Sequence, residues 1–523
     1  MENTAEKTLP ANVAGLHIHF VGIKGTGMAA LVEILHARGA VITGSDVSER
    51  FYTDEVLEKL GLRALPFAAA NITDDTACVV YSSAYSPEKN PDLMEARRRG
   101  LPMLLYTEAL GAVSRLAYSA GICGVHGKTT TTGLTGTLLK ALDLPSQVLA
   151  GSIIASFGDG SGSCTMTSPS FYKAGKSDRH FFVAETCEYQ RHFMAFSPQK
   201  IILTSVESDH QDYYPTYEDI RSAFVDYLCK LPLGGEVFYC GDDKGARETL
   251  ALAKERRPDI RALPYGSSPD VLKAGGWHIT FGAVEGGLQH FTLTVGGADA
   301  AMSGDYALSV PGVHNVRNAT AALALVCSLL REAGRNPGDY AVALRAALPG
   351  FSGGKRRSEV VGRTKTPLGE DVLVLDDYGH HPTAVATTLA GYRDFYKNHK
   401  IIVDFMSHTY TRTAALLEEF ASSFGSADMV IINRIYGSAR EDASAASVTG
   451  EMLAERTRAH NPCTVYAGDF EQAADLVLAE LSKPSGKSDG YLFVTMGAGD
   501  NWKVGKLLLE KLAAQGGSSE GQV

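Results

Sequence analysis

Lys128 and Thr129 close a short glycine loop, Gly124-Val125-His126-Gly127, and are followed by Thr130, Thr131 and Thr132. Glycine, lysine and hydroxyl in this order suit phosphate. Glycines let backbone N–H groups reach the oxygens, a following helix N-terminus favours the anion, lysine adds a point charge and threonine can bind Mg²⁺. The longer spacing G-x-x-x-x-G-K-[ST] is not met, because it needs glycine where Ile122 stands. The competing reading is a Gly/Thr-rich turn carrying a surface lysine. Residues 115–119 read as a strand entering the loop, and the run from Gly133 reads as a helix leaving it.

Two strand-like runs further on deliver polar residues of the matching kind. Residues 180–184 lead to Glu185, and residues 200–206 lead to Glu207, Asp209 and His210. In an open parallel sheet, strand ends share the edge where ligands bind. A threonine hydroxyl, a carboxylate and an imidazole suit Mg²⁺ with phosphates completing the shell. Alone, Glu185 would read as the partner of a surface lysine and His210 as a helix cap.

A second glycine loop lies nearer the start. Residues 16–21 read as a strand, Gly22, Gly25 and Gly27 follow, and 29–39 read as a helix. The next strand, 40–44, ends at Ser45 and Asp46, and Asp46 stands 19 residues after Gly27. This is a βαβ nucleotide-binding unit with an acid placed to meet a ribose or base. The glycines are spaced G-x-x-G-x-G, so the dinucleotide fingerprint fails and a nucleotide diphosphate other than NAD fits at least as well. A tight turn without ligand is the bland alternative. Strand-like runs at 77–81, ending at Ser82 and Ser83, and at 102–106 complete this unit.

Beyond these loops the chain falls into recognisable stretches. Residues 156–178 are rich in Ser, Gly and Lys and read as an exposed, mobile loop. Runs at 277–281, 290–295 and 306–310 alternate between Gly-rich turns, which predicts an antiparallel flap. His314, Asn315 and Asn318 stand at the entrance of a helix over 319–331, and N-capping accounts for one asparagine, not both. Gly353 and Gly354 mark a hinge. After it, strands at 371–375, 400–405, 428–432, 463–466 and 491–495 alternate with helices near 383–396, 412–424, 446–459 and 470–482, a doubly wound unit. Three polar clusters follow its strands: Asp376 to Pro382, Ser407 to Arg412, and Gly497 to Asp500.

With 523 residues the chain has room for about three domains. A net charge of −10 excludes a broad nucleic-acid footprint, so phosphates must be held by local loops and a few cations. The polar, acid-bearing start is no signal peptide, and no apolar run reaches the length of a membrane span. The eight cysteines form no C-x-x-C pair, which argues against a zinc knuckle and for a reducing, cytoplasmic setting. The Gly/Ser-rich tail from Gly516 reads as disordered.

Taken together, these motifs resemble the Mur ligase family. The resemblance runs from about 16 to 513 and rests on Gly22–Met28, Gly124–Thr132, His314–Asn318, Asp376–Pro382, Phe405–Thr413 and Met496–Asp500. It implies an α/β chain of three domains. These are a Rossmann-like UDP-sugar domain (1–115), a central P-loop-type ATPase domain with its small flap (116–352) and a mobile, doubly wound third domain (353–523). It implies that a carboxylate is joined to an amino acid through an acyl phosphate. The branch it points to adds L-alanine to UDP-N-acetylmuramate. A branch that adds a recycled tripeptide to the same sugar nucleotide, and an inactive regulator, are the rivals.

By that resemblance Gly25, Thr26, Gly27, Asp46, Ser82 and Ser83 hold the UDP-sugar. Gly124, Val125, His126, Gly127, Lys128, Thr129, Thr130, Asn315, Asn318, Arg357 and His380 hold ATP. Thr129, Glu185 and His210 hold two Mg²⁺ ions, with Mn²⁺ as a substitute. Lys128, Glu185, His210, Arg357 and Asp377 carry the chemistry, and His408, Tyr410 and Arg412 meet the amino acid. Glu188 and His126 are candidates for steering the sugar carboxylate or the amine. The resemblance implies a monomer or homodimer, working without nucleic acid or membrane insertion. Val125 stands where the family usually has threonine, Thr204-Ser205-Val206 replaces Thr-Asn-Ile, and Val225 replaces the modified lysine that many members carry.

Overall fold

Three separate sheets carry these motifs in a computed structural model that describes residues 9–51, 53–158, 162–173, 175, 178–437 and 447–514. The tail from Gly516 lies outside the described residues. The first sheet has four parallel strands, in the order Val41–Ser45, His17–Val21, Thr76–Tyr81, Met103–Leu105. All of His17–Val21 is buried, because apolar side chains from helices cover both faces. Its polar members are paired: His19 Nε2 lies 3.2 Å from Asp92 Oδ1, and Thr43 Oγ1 lies 2.9 Å from both His17 Nε2 and His19 Nδ1. The helix after the glycine loop starts at Thr26, three residues earlier than the pattern suggested. Gly22 turns the chain at φ +84°, where a Cβ would stand 2.7 Å from the Tyr85 ring.

The second sheet has ten strands. Tyr118–Cys123 lies at its heart, parallel to Phe181–Glu185 on one side and to Lys200–Leu203 on the other. The strand entering the phosphate loop thus runs to Cys123 rather than stopping at Ser119, and Gly121 belongs to it. Small, buried Ser119, Ala120 and Gly121 suit a strand packed on both faces. The helix that follows spans Lys128–Ala141, five residues longer at its start than expected. Its threonines turn their hydroxyls back: Thr132 Oγ1 donates to Lys128 O at 2.9 Å and Thr135 Oγ1 to Thr131 O at 2.8 Å.

The expectation of a mobile loop over 156–178 is corrected in part. Ser163–Thr167 is a strand with four of its five residues buried, antiparallel to Ser146–Ile154. Its small side chains let the first domain dock there. Ser163 Oγ meets both Glu33 oxygens at 2.8 and 2.9 Å, and Arg38 Nε donates to Gln147 Oε1 at 2.7 Å. The antiparallel strands Trp277–Glu285, Leu288–Val295 and Gly304–Leu308 exist, but they continue the main sheet through Arg261–Gly266 rather than standing apart as a flap.

The third sheet has six strands, ordered Glu359–Lys365, Asp371–Asp377, Tyr491–Gly497, Lys400–Met406, Met429–Asn433, Thr464–Ala467. Glu359–Lys365 is an antiparallel edge and the other pairings are parallel. The helix expected over 412–424 is two short ones, Tyr410–Ala415 and Leu417–Ser422, broken at Leu416 (φ −122°, ψ 30°).

Asp404 sits fully buried in the middle of this sheet, accepting from Asn433 Nδ2 at 2.7 Å and Asn501 Nδ2 at 3.1 Å. Burial outweighs those hydrogen bonds and pushes its carboxyl up to about 7. The folded chain therefore binds a proton more tightly than the unfolded one. The stability this confers is complete below about pH 4 and is lost as pH rises through about 7. Asp404→Asn should flatten that decline and raise the urea midpoint at pH 8. An unchanged slope of midpoint against pH would contradict the assignment.

Candidate active site

Gly127 caps the helix Lys128–Ala141 from the left-handed region (φ +82°), which points the first backbone N–H groups of the helix into a cleft. A Cβ on Gly127 would stand 2.6 Å from Asn318 Oδ1. Asn318 and Asn315 project from the first turns of the buried helix Val313–Glu332 and bond each other at 3.2 Å. The loop and these asparagines are therefore in direct contact, although far apart in the chain.

Lys128 is folded back on its own loop. Its Nζ donates to Gly124 O at 2.6 Å and Val125 O at 3.2 Å, and meets both Glu188 oxygens at 3.0 and 2.8 Å. Burial alone would lower the lysine's pKa; the Glu188 carboxylate outweighs that, with Cys187 and Glu185 adding to it, and the group ends raised. Glu188 answers in kind: burial raises it, but Lys128 and His210 hold it below the usual carboxylate range. His210 Nε2 lies 3.4 Å from Glu188 Oε1. Glu188 is thus the lysine's counter-ion, a role the sequence reading did not assign. The signal for it was a second acid just past the end of Phe181–Glu185.

Glu185 also lines the cleft, where its Oε2 accepts from Gly151 N at 2.8 Å. His210 stands in the left-handed region at φ 55°, and its N–H donates to Asp209 Oδ1 at 2.7 Å. Such backbone strain in a non-glycine residue is stored where side-chain aim matters.

The third domain forms the opposite wall. Strand Asp371–Asp377 and the turn after it bring Asp377, Tyr378, His380 and His381 to the cleft, and Arg357 and Ser358 arrive from the linker. Asp377 Oδ2 accepts from Ser358 N at 2.8 Å and Oδ1 from Gly379 N at 2.8 Å. Arg356 ties the linker down: it meets Asp376 Oδ2 at 2.8 Å and the carbonyls of Gly497 and Gly499 at 2.7 and 3.0 Å. Helix Pro382–Phe395 lies so close that a Cβ on Gly391 would stand 2.7 Å from Gly312 Cα. Arg412 reaches across as well, donating through Nε at 3.0 Å and Nη2 at 2.7 Å to Asp209 Oδ1.

The cleft has a volume of about 580 Å³. Val125, His126, Gly127, Lys128, Thr129, Thr130, Glu185, His210, Asn315, Asn318, Arg357, Asp377 and His380 all line it. Gly124 lies beneath, packed against Thr204 and Ser205. His408 stands beside Arg412, its Nδ1 3.3 Å from Nη1, and its ring centre is 6.2 Å from that of His380. Tyr410 leans over Gly437 instead.

The first-domain residues form a separate group. Gly25 caps helix Thr26–Ala37, and Gly27 faces Tyr106 so closely that a Cβ would stand 2.8 Å from it. Asp46 holds the glycine loop itself, accepting from Lys24 N at 2.7 Å, Val47 N at 2.8 Å and Tyr85 OH at 2.9 Å. Ser82 and Ser83 follow Thr76–Tyr81, and Ser82 Oγ accepts from Ala84 N at 3.3 Å.

Among the described residues no helix is long and apolar enough to cross a membrane. Comparison with known proteins places the three sheets in one family. The descriptions "Mur ligase family, catalytic domain", "Mur ligase middle domain" and "Mur ligase, glutamate ligase domain" match residues 17–118, 122–326 and 356–499. A UDP-N-acetylmuramate–L-alanine ligase of Treponema pallidum (strain Nichols) is 46% identical over 503 residues, 96% of this chain and 98% of that protein. One of the same name from Desulfitobacterium hafniense is 35% identical over 94% of this chain and 99% of its own. The crystal structure of a UDP-N-acetylmuramate–alanine ligase from Thermotoga maritima shares the fold, with a TM-score of 0.70 at 23% identity over 95% of this chain and 99% of that one. With family matches spanning most of its length and relatives this similar end to end, the chain belongs to the Mur ligase family.

Proposed function

We propose that this chain joins L-alanine to the carboxylate of UDP-N-acetylmuramate at the expense of ATP. The observation that carries the reading is the two-walled cleft in which Lys128 and the helix N-terminus face Arg357 and Asp377. The choice of alanine draws on the relatives of that name, the Treponema pallidum protein among them being 46% identical along nearly the whole chain. The domains divide as 1–115, 116–352 and 353–523, with the UDP-sugar on the first-domain loop around Gly25, Thr26, Gly27 and Asp46.

A carboxylate is a poor electrophile, so a phosphoryl group from ATP must activate it as an acyl phosphate. The amine then attacks and phosphate leaves. The N–H groups at Lys128–Thr130 and the Lys128 ammonium offset the charge on the transferring group. For this Lys128 exchanges Glu188 for phosphate oxygens. Asn315 and Asn318 meet the adenine side, and Arg357 reaches the phosphates from the opposite wall. The donor set in the cleft suits Mg²⁺: the Glu185 carboxylate and Thr129 hydroxyl are hard oxygen donors, with the His210 imidazole beside them. Thr129, Glu185 and His210 would hold the ion, which neutralises phosphate charge when bound.

The test is phosphate release from ATP with UDP-N-acetylmuramate and a panel of amine substrates. L-alanine should give the highest kcat/KM. Efficient use of L-Ala-γ-D-Glu-meso-diaminopimelate with L-alanine inert would replace this reading with that of a tripeptide ligase. No release with any amine would make the chain a non-catalytic binder.

A further inference from the structure

We propose that His126, Glu207 and His381 form a binding site for one divalent transition-metal ion of the Zn²⁺ class, which staples the third domain to the central one. His126 belongs to the loop after Tyr118–Cys123 and Glu207 to the segment after Lys200–Leu203, both in the central sheet. His381 caps helix Pro382–Phe395 in the third domain. One donor atom from each lies within 4.8 Å of the other two.

The arrangement has the features of a ligand set. Glu207 Oε1 contacts His126 Nε2, and Oε2 stands 3.9 Å from His381 Nδ1. Thr383 Oγ1 donates to Glu207 Oε2 at 2.9 Å, the kind of outer hydrogen bond that orients a ligating carboxylate. The rings of His126 and His381 lie with centres 5.0 Å apart, tilted 49° to each other. His381 is only 6% exposed on its side chain; its Nδ1 accepts from Thr383 N at 3.4 Å, and its Nε2 is buried without a hydrogen-bond partner. A buried ring nitrogen left so is costly and marks a group awaiting one.

Two imidazoles and one carboxylate select Zn²⁺ or Co²⁺ over Mg²⁺, which takes oxygen. Atoms bound to one such ion at about 2.0–2.2 Å stand roughly 3–3.5 Å apart, so small rotations of the half-buried His126 and Glu207 complete the set. A fourth position stays open to water. This donor geometry is the same whichever amino acid the enzyme uses.

The full-length protein, with Mg²⁺ in excess, is titrated with Co²⁺ and its visible spectrum recorded. One equivalent should give the intense d–d bands of a four- or five-coordinate ion, displaced by one equivalent of Zn²⁺. His381→Gln and Glu207→Gln should each weaken binding at least about tenfold, while His210→Gln leaves it unchanged. Glu207 is half-buried rather than enclosed, so its variant carries the test even if the His381 variant does not fold. Spectra of only six-coordinate Co²⁺ would reduce the cluster to a hydrogen-bonded clasp and overturn the proposal. Bands that survive Glu207→Gln, or vanish with His210→Gln, would overturn it too.

Discussion

Lys128→Ala is expected to slow ligation by roughly 10²–10³-fold while leaving UDP-N-acetylmuramate binding intact. The lysine stands at the first turn of helix Lys128–Ala141, where the proposed reading puts the phosphates, and no other lysine lines the cleft among the described residues. Removing one preorganised charge donor from a water-poor site costs about 3–4 kcal/mol, or roughly 10²–10³ in kcat. The same substitution also leaves Glu188, whose side chain is 2% exposed, with only His210 beside it. A buried carboxylate stripped of its counter-ion typically costs about 3–5 kcal/mol of stability. The two effects separate in a double variant: Lys128→Ala with Glu188→Gln should recover most of the lost melting temperature and none of the turnover. UDP-sugar affinity, measured by calorimetry, should stay within about twofold, because the Gly22–Gly27 loop belongs to a different sheet. Equal loss of sugar binding and turnover would show that the two glycine loops do not act as separate sites.

What the sequence revealed depended on how local each signal was. The phosphate loop was legible because its glycines, Lys128 and Thr129 are neighbours, and the third domain because βα alternation repeats over many residues. Glu188 was visible only as an acid, since its partner Lys128 lies 60 residues away. Asp209 and Arg412 meet across 203 residues and two domains, a pairing that no periodicity encodes. Ser163–Thr167 was hidden by composition: its Ser and Thr suit a loop, and only packing against the helix that carries Glu33 makes it a buried strand. Glu359–Lys365 was missed because an antiparallel edge strand lacks the continuous apolar run of its parallel neighbours. Asp46 has a second role that position alone does not show. Its position matches a ribose-binding acid, and its oxygens also hold the backbone of the loop and the Tyr85 hydroxyl.

Arg412→Lys should raise the apparent KM for L-alanine about 10–100-fold and that for ATP by less than about threefold. Arginine offers a planar fork to a carboxylate, and lysine a single point. Here the fork is already engaged: Nε and Nη2 both donate to Asp209 Oδ1, while Nη1 faces His408. Burial would raise the Asp209 carboxyl, but the guanidinium beside it, with His210 and His380, holds it far below the usual range. On the proposed role of Arg412, an incoming amino-acid carboxylate must share it with Asp209 or displace it. Asp209→Asn removes the competing charge and should lower the KM for L-alanine, opposite in sign to the Arg412 effect. Glycine should remain a poor substrate, worse by roughly 1–3 kcal/mol, because a pocket for one methyl group discriminates no more than that. If Arg412→Lys raises the KM for ATP as much as that for L-alanine, the residue serves only to hold the two domains together, and the amino acid is bound elsewhere.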